Sequence, residues 1–149
     1  MYLIRLIYVS RMTEVCDTKA LEQILKVSRK KNEARGITGA LCFDPSFFLQ
    51  CLEGRRSAVC ELYADIVRDE RHTDVTLLDF REIDERSFGD WSMAFLTTSD
   101  LDREVLLKYE HARKFDPFKL RAKDAHDFLV EIAALKRELL NKQQTKRLS

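Results

Sequence analysis

An α+β fold, one sheet with two helices on the same face, is predicted from three observations. Apolar runs of strand length recur at 3–9, 37–43, 47–52, 75–83 and 91–97. Two segments with a helical stripe, 18–35 and 57–68, separate the first run from the second and the third from the fourth. Turn residues punctuate the joins, at Gly36, at Asp44-Pro45-Ser46 and at Glu53-Gly54.

The first strand is expected over residues 2–9, opening directly at the start of the chain. Asp17 or Thr18 then caps a helix whose inner stripe is Leu21, Ile24, Leu25 and Ser28. Arg29, Lys30 and Lys31 suit the negative end of its dipole, and Gly36 provides a left-handed exit. Strands over 37–43 and 47–52 follow as a hairpin, and Glu53-Gly54 is expected to break the second of them. Ser57 caps the next helix, with Val59, Leu62, Tyr63 and Ile66 inward. A polar turn at 69–73 leads to a strand over 75–83, a charged connection over 84–90 and a last strand over 91–97. The order β-α-β-β-α-β-β is ferredoxin-like with one extra strand. Right-handed crossovers put both helices on one side. Two further helices are expected over 99–114 and 122–140, divided by a bend at Pro117, and a polar, basic tail closes the chain.

Composition narrows the function. With 149 residues the chain holds one domain of ordinary size plus a small appendage. Its 26 Lys and Arg nearly balance 25 Asp and Glu, so no global field draws it to nucleic acid or to a membrane. No apolar run reaches membrane-spanning length, and no signal peptide is evident, which together predict a cytoplasmic protein. Cys16, Cys42, Cys51 and Cys60 form no CxxC pair and His72, His111 and His126 stand far apart, so no metal site is expected. Buried reduced thiols are the expected state of Cys42 and Cys51.

Three side chains resist a purely structural reading: Tyr8, Gln50 and Trp91, each inside an apolar strand run. A carboxamide in a core strand costs roughly 1–3 kcal/mol per unsatisfied group, so Gln50 must have polar company. Alternation places Ile4, Leu6 and Tyr8 on one face, Phe48, Gln50 and Leu52 on one face, and Trp91, Met93 and Phe95 on one face. Strands 1 and 3 are central neighbours in this topology, so Tyr8 and Gln50 meet beneath the helices, with Met93 near Gln50. Asn32 adds a second carboxamide from the end of the first helix.

Five separated segments carry a resemblance: Arg5-Leu6-Ile7-Tyr8-Val9-Ser10, Asn32 through Gly36-Ile37-Thr38-Gly39, Phe48-Leu49-Gln50-Cys51-Leu52-Glu53-Gly54, Asp69-Glu70-Arg71-His72 and Phe88-Gly89-Asp90-Trp91-Ser92-Met93. In this order they resemble the BLUF domain, a blue-light sensor that uses FAD, and the short chain resembles its stand-alone, PixD-like members. The resemblance implies that Ile24 and Ile66 sandwich a flavin, that Asn32 pairs with its N3/O4 edge, and that Gln50 reaches N5 or O4 while bonded to Tyr8. It implies that Lys31, Asp69, Arg71 and His72 hold the pyrimidine edge, ribityl chain or phosphates, and that Ser28, Trp91 and Met93 tune or transmit the switch. The cofactor it implies is FAD, with FMN as the alternative.

The resemblance also implies photosensing without turnover. Light moves an electron and a proton from Tyr8 through Gln50 and back, the carboxamide rearranges, and the flavin absorption shifts slightly to the red. The expected domains are a flavin-binding unit over 1–97, a helical extension over 98–141 and a flexible basic tail over 142–149. The expected partner is a downstream signalling protein, response-regulator-like or a cyclic-nucleotide enzyme, with a homo-oligomer formed through the C-terminal helices. Two rival readings are a ferredoxin-like regulatory or interaction domain without flavin and a flavin oxidoreductase, for which no substrate motif is present.

Overall fold

The computed structural model describes residues 2–91, 93–97, 105, 108–109 and 115–148. Strands β1 (Leu3–Met12), β2 (Thr38–Asp44), β3 (Phe47–Arg55), β4 (His72–Ile83) and β5 (Ala94–Thr97) form one sheet in the order β4-β1-β3-β2-β5. Pairing is antiparallel except between β2 and β5. Helix α1 (Thr18–Ala34) carries the chain from β1 past β3 to β2, and α2 (Arg56–Arg68) carries it from β3 past β1 to β4. This is the predicted ferredoxin-like α+β fold with an added strand.

A long C-terminal helix, α3 (Ala122–Leu148), covers the other face of the sheet and follows a 3₁₀ turn at Pro117–Lys119. Two cores result. Ile4, Leu6, Tyr8, Leu41, Phe48, Leu52 and Met93 pack towards α1 and α2. Ile7, Val9, Cys42, Leu49, Cys51 and Leu96 pack against Phe128, Leu129 and Ile132 of α3. With both faces covered, the central strands read as nearly continuous apolar runs rather than alternating ones, as buried strands do. Cys42 and Cys51 are both buried, and neither is in a disulfide.

Local details follow the chemistry at most joins. Asp17 caps α1, its Oδ1 accepting from the Ala20 amide at 3.2 Å. Gly36 leaves the helix with φ 69°, the left-handed exit that glycine tolerates best.

Several expectations are corrected. Glu53 and Gly54 do not break β3 but continue it, both buried, because the Glu53 carboxylate finds donors described below. Consequently β3 runs into α2 with no linker: Arg55, extended, is the cap position, no side chain bonds there, and Ser57 is already helical. The 69–73 turn is shorter than expected, since β4 begins at His72. Helix α3 does not end at residue 140 but continues to Leu148, through most of the stretch expected to form a tail. The helix expected over 99–114 lies almost wholly outside the described residues.

Candidate functional site

A cavity of about 240 Å³ lies between α1, α2 and the sheet face they cover. Its helical walls carry Leu21, Ile24, Leu25, Ser28, Lys31 and Asn32 from α1 and Leu62, Asp65 and Ile66 from α2. Its floor is Tyr8, Leu41, Phe48, Gln50, Met93 and Phe95. Asp69, Arg71 and His72, at the join of α2 and β4, complete one side.

The floor contains a polar chain. Tyr8 and Gln50 are register partners in the central β1–β3 pair, and the Tyr8 hydroxyl donates to Gln50 Oε1 at 2.5 Å. Gln50 Nε2 in turn points to Met93 Sδ at 3.4 Å, a weak acceptor. Burial, with help from Tyr63 and Asp69, drives the Tyr8 pKa far above the ordinary phenol range. Tyr8 is therefore a neutral phenol in the resting protein, and in this arrangement its hydroxyl donates to the Gln50 carbonyl oxygen.

Asn32 is the second polar group in this cavity and is unlike the first. It is 4 % exposed, lines the cavity, and its carboxamide makes no hydrogen bond within the described residues, although its backbone carbonyl accepts from Arg35 and Ile37. Its amide is not enclosed but opens onto the cavity, so a group that covers it there must supply its hydrogen-bond partners. The residue therefore fits a ligand that offers both a donor and an acceptor at this wall. Branched apolar side chains on the two helices suit flat faces, so the cavity fits a heteroaromatic ring with a polar edge.

At the open side, Arg71 Nε donates to both Asp69 carboxylate oxygens at 2.9 Å, and the pair lowers the Asp69 pKa, the Arg71 hydrogen bond being the main cause. His72 Nδ1 is 2.8 Å from Ser10 Oγ and its ring packs tilted against Phe48, the centres 4.4 Å apart. Burial lowers the His72 pKa to about 4, with Asp69 opposing and Arg71 reinforcing, so the ring is neutral at physiological pH. Lys31 and Arg35 bring further positive charge to the rim.

Of the residues singled out from sequence, Tyr8, Ile24, Ser28, Lys31, Asn32, Gln50, Ile66, Asp69, Arg71, His72 and Met93 all border this one cavity. Trp91 does not. The expectation that Trp91, Met93 and Phe95 share a face is corrected: β5 begins only at Ala94, and Trp91 precedes it in a turn closed by its amide on the Phe88 carbonyl at 2.9 Å. Strand alternation has no hold there. Trp91 packs into the α3 core, under Arg137, with its Nε1 buried and unpartnered among the described residues. Met93 is the residue that faces Gln50.

Glu53 was missed by sequence reasoning as anything but a strand end. Fully buried, its carboxylate accepts from Thr38 Oγ1 at 3.0 Å, the Phe88 amide at 2.9 Å and the Ser87 amide at 2.6 Å. It thus pins the segment that leads to Trp91 and Met93. Arg86 adds bonds to Thr38 Oγ1 at 2.8 Å and the Glu53 carbonyl at 3.1 Å. The signal in sequence was the acidic residue itself, since its partners lie 15, 34 and 35 positions away.

A family model described as "Sensors of blue-light using FAD" matches residues 3–94. Photoactivated adenylate cyclase subunit alpha of Euglena gracilis is 38% identical over 87 residues, covering 58% of this chain and 8% of that protein. The chain therefore spans less than a tenth of the length of that relative. The structure of BlsA in its photo-activated state has a TM-score of 0.77 at 31% identity, over 87% of this chain and 93% of that one. BlrB, a BLUF protein in its dark state, has a TM-score of 0.73 at 32% identity, over 87% of this chain and 96% of that one. A bacterial light-regulated adenylyl cyclase has a TM-score of 0.63 at 26% identity, with 98% of this chain covering 35% of that one. With the family model matching more than half of its length and its fold shared with solved BLUF structures, the chain belongs to the BLUF family, the sensors of blue light using FAD.

Proposed function

We propose that this chain is a blue-light photoreceptor in which Tyr8, Gln50 and Met93 form the switch beneath a flavin held between α1 and α2. The observation that carries the reading is the 2.5 Å bond from the Tyr8 hydroxyl to Gln50 Oε1, continued from Nε2 to Met93 Sδ, on the floor of the cavity. Ile24 and Ile66 cover the ring faces, and Asn32 serves the edge that carries a donor beside an acceptor. Lys31, Asp69, Arg71 and His72 hold the remainder, and Ser28 tunes the site from α1. When bound, the flavin supplies a blue-absorbing chromophore that withdraws an electron from a neighbouring donor on excitation.

Tyr8 is that donor. A phenol that loses an electron becomes strongly acidic, and its proton leaves along the bond to Gln50 Oε1. Gln50 can relay it because one carboxamide carries both an acceptor and a donor. When Tyr8 takes the electron and proton back, Gln50 is left with donor and acceptor exchanged, by rotation, tautomerisation or both. No substrate is consumed. A changed hydrogen bond at the ring edge persists, with a changed contact to Met93 Sδ, which α3 reads through β5. Trp91, on the α3 side, belongs to the transmitting end.

Lys31, Arg35 and Arg71 at the rim suit phosphate oxygens, which FAD and FMN both carry, and FAD is favoured because the family model is that of sensors using FAD. The functional unit is the segment through 97, followed by a helical extension and a basic end. By analogy with relatives joined to adenylate cyclase, the receiving partner is a cyclic-nucleotide enzyme or a response-regulator-like protein. Leu139 and Leu140, exposed on α3, support a homo-oligomer through that helix. Buried thiols outside any disulfide support residence in the cytoplasm, and no helix of the described residues is long and apolar enough to cross a membrane.

Absorption spectra of the purified protein in darkness, under blue light and during recovery test the proposal. A flavin band that shifts reversibly to the red is expected. A protein that stays colourless after incubation with FAD, or a band that bleaches without shifting, would overturn it. Chromatography of the released chromophore separates FAD from FMN.

A further inference from the structure

We propose that Arg29 is a positioning residue of the light response: it ties the Met93 end of β5 to α1, so that a change at Gln50 displaces β5 as a unit and reaches α3 through Lys136. The inference rests on the photoreceptor reading above and assigns the coupling to particular side chains. Arg29 is on α1 but does not border the cavity. Its Nη2 donates to the Met93 carbonyl at 3.2 Å, and its guanidinium lies 4.6 Å from the centre of the Phe95 ring. Met93 is the same residue whose Sδ accepts from Gln50. Two positions on, the Phe95 carbonyl accepts from Lys136 Nζ of α3.

Two cations, one from each side of the sheet, thus hold the carbonyls that flank Ala94. The arrangement matters because β5 is four residues long, lies at the edge of the sheet and, among the described residues, pairs with β2 alone. A short edge strand with few ladder bonds is easily displaced, so its remaining contacts decide where it goes. Hydrogen bonds from a cation are stronger than neutral ones. Arginine can donate in its plane while stacking on a ring, a combination that neither lysine nor glutamine reproduces. The segment before β5 is tied to α3 as well, by the Arg137–Asp90 ion pair and the Arg137–Trp91 contact. Displacement at Met93 therefore has a route into the helix on the opposite face.

The test uses the flavin-loaded full chain as wild type, Arg29→Gln, Arg29→Lys and Lys136→Met. Each is measured twice: by absorption in darkness and light, and by hydrogen exchange of α3 peptides in darkness and light. Arg29→Gln is expected to keep the flavin and the red shift while the light-dark difference in α3 exchange falls at least about fivefold, the scale of one net hydrogen bond. Arg29→Lys recovers part of it, and Lys136→Met reproduces the loss with an unchanged spectrum. An undiminished α3 response in Arg29→Gln would overturn the inference. So would loss of the red shift itself, which would put Arg29 in the photochemical site, or a wild-type α3 that ignores light while the band shifts. A wild-type protein with no red shift would instead defeat the photoreceptor reading beneath it.

Discussion

Replacing Glu53 by Gln changes almost no volume and removes one acceptor, which makes the cost of that acceptor measurable. The carboxylate is fully buried and receives a hydroxyl and two backbone amides, the shortest from Ser87 at 2.6 Å. In Glu53→Gln the amide end must face a donor: either the Ser87 N–H or the pair from Phe88 and Thr38. The gentler choice still forfeits one charge-assisted bond, worth about 1.5–3 kcal/mol, and strands a buried N–H. Because these two losses overlap, the expected destabilisation is about 2–4 kcal/mol. Urea denaturation followed by far-UV circular dichroism measures it; with m about 2 kcal/mol per molar the midpoint falls by about 1–2 M. Flavin must be absent from both samples or fixed at one free concentration, since a bound ligand adds stability of its own. A Glu53→Gln protein within about 0.5 kcal/mol of wild type would refute the claim that this carboxylate anchors the 86–88 segment.

Three further outcomes are expected from the geometry. Gly39→Ala would put a Cβ 2.0 Å from the Cys51 carbonyl oxygen and 3.3 Å from Met93 Cε, whereas the nearest atom to a Cβ at Gly89 is at 3.7 Å. The first is expected to cost at least about 2 kcal/mol in denaturation and the second under about 0.5, and equal effects would contradict the packing. Asn32→Ala is expected to weaken FAD binding about tenfold or more in a fluorescence titration while changing the stability of the flavin-free protein by under about 0.5 kcal/mol, because the amide opens onto the cavity and has no hydrogen bond to lose among the described residues. A fall in the stability of the flavin-free protein would sink that reading. His72 titrates near 4 when folded, below its unfolded value of 6.5, so as pH falls the unfolded chain takes up the proton first. Its contribution to stability is complete above about pH 6.5 and is lost between there and about pH 4. Discounted for its partial exposure, the loss is on the order of 2 kcal/mol. Denaturation midpoints in His72→Gln should therefore decline less steeply across this window than in wild type, and parallel declines would refute it.

The element order, the pairing of Tyr8 with Gln50 and the left-handed exit at Gly36 were legible because each depends on local pattern or on a topology with few alternatives. Apolar periodicity locates strands and stripes, and once β1 and β3 are neighbours the meeting of their mid-strand polar residues follows. Glu53 and Trp91 were not legible, for a common reason. An acidic residue beside glycine has little local tendency to continue a strand, and only distant amides at Ser87 and Phe88 make it worthwhile. Alternation extrapolated back from Met93 assumes a strand that in fact starts at Ala94, so it put Trp91 on the wrong side. The placement of α3 over the second sheet face is likewise set by long-range burial; its sign in sequence was the near-continuous apolar character of β1 and β3, which a one-sided sheet would not show. The shortened turn before His72 belongs to the same class, since its extra strand residues are specified by pairing with Arg11 and Met12.

The central claim is that the hydrogen bond between Tyr8 and Gln50 is the photochemical element, and the most direct test is the light-minus-dark absorption spectrum of Tyr8→Phe beside wild type, both loaded with FAD. Phenylalanine fills the same space and removes only the hydroxyl. The account predicts that the variant binds flavin and absorbs blue light yet shows no reversible red shift, while wild type shows it in full. A Tyr8→Phe protein that shifts and recovers as wild type does would contradict the account.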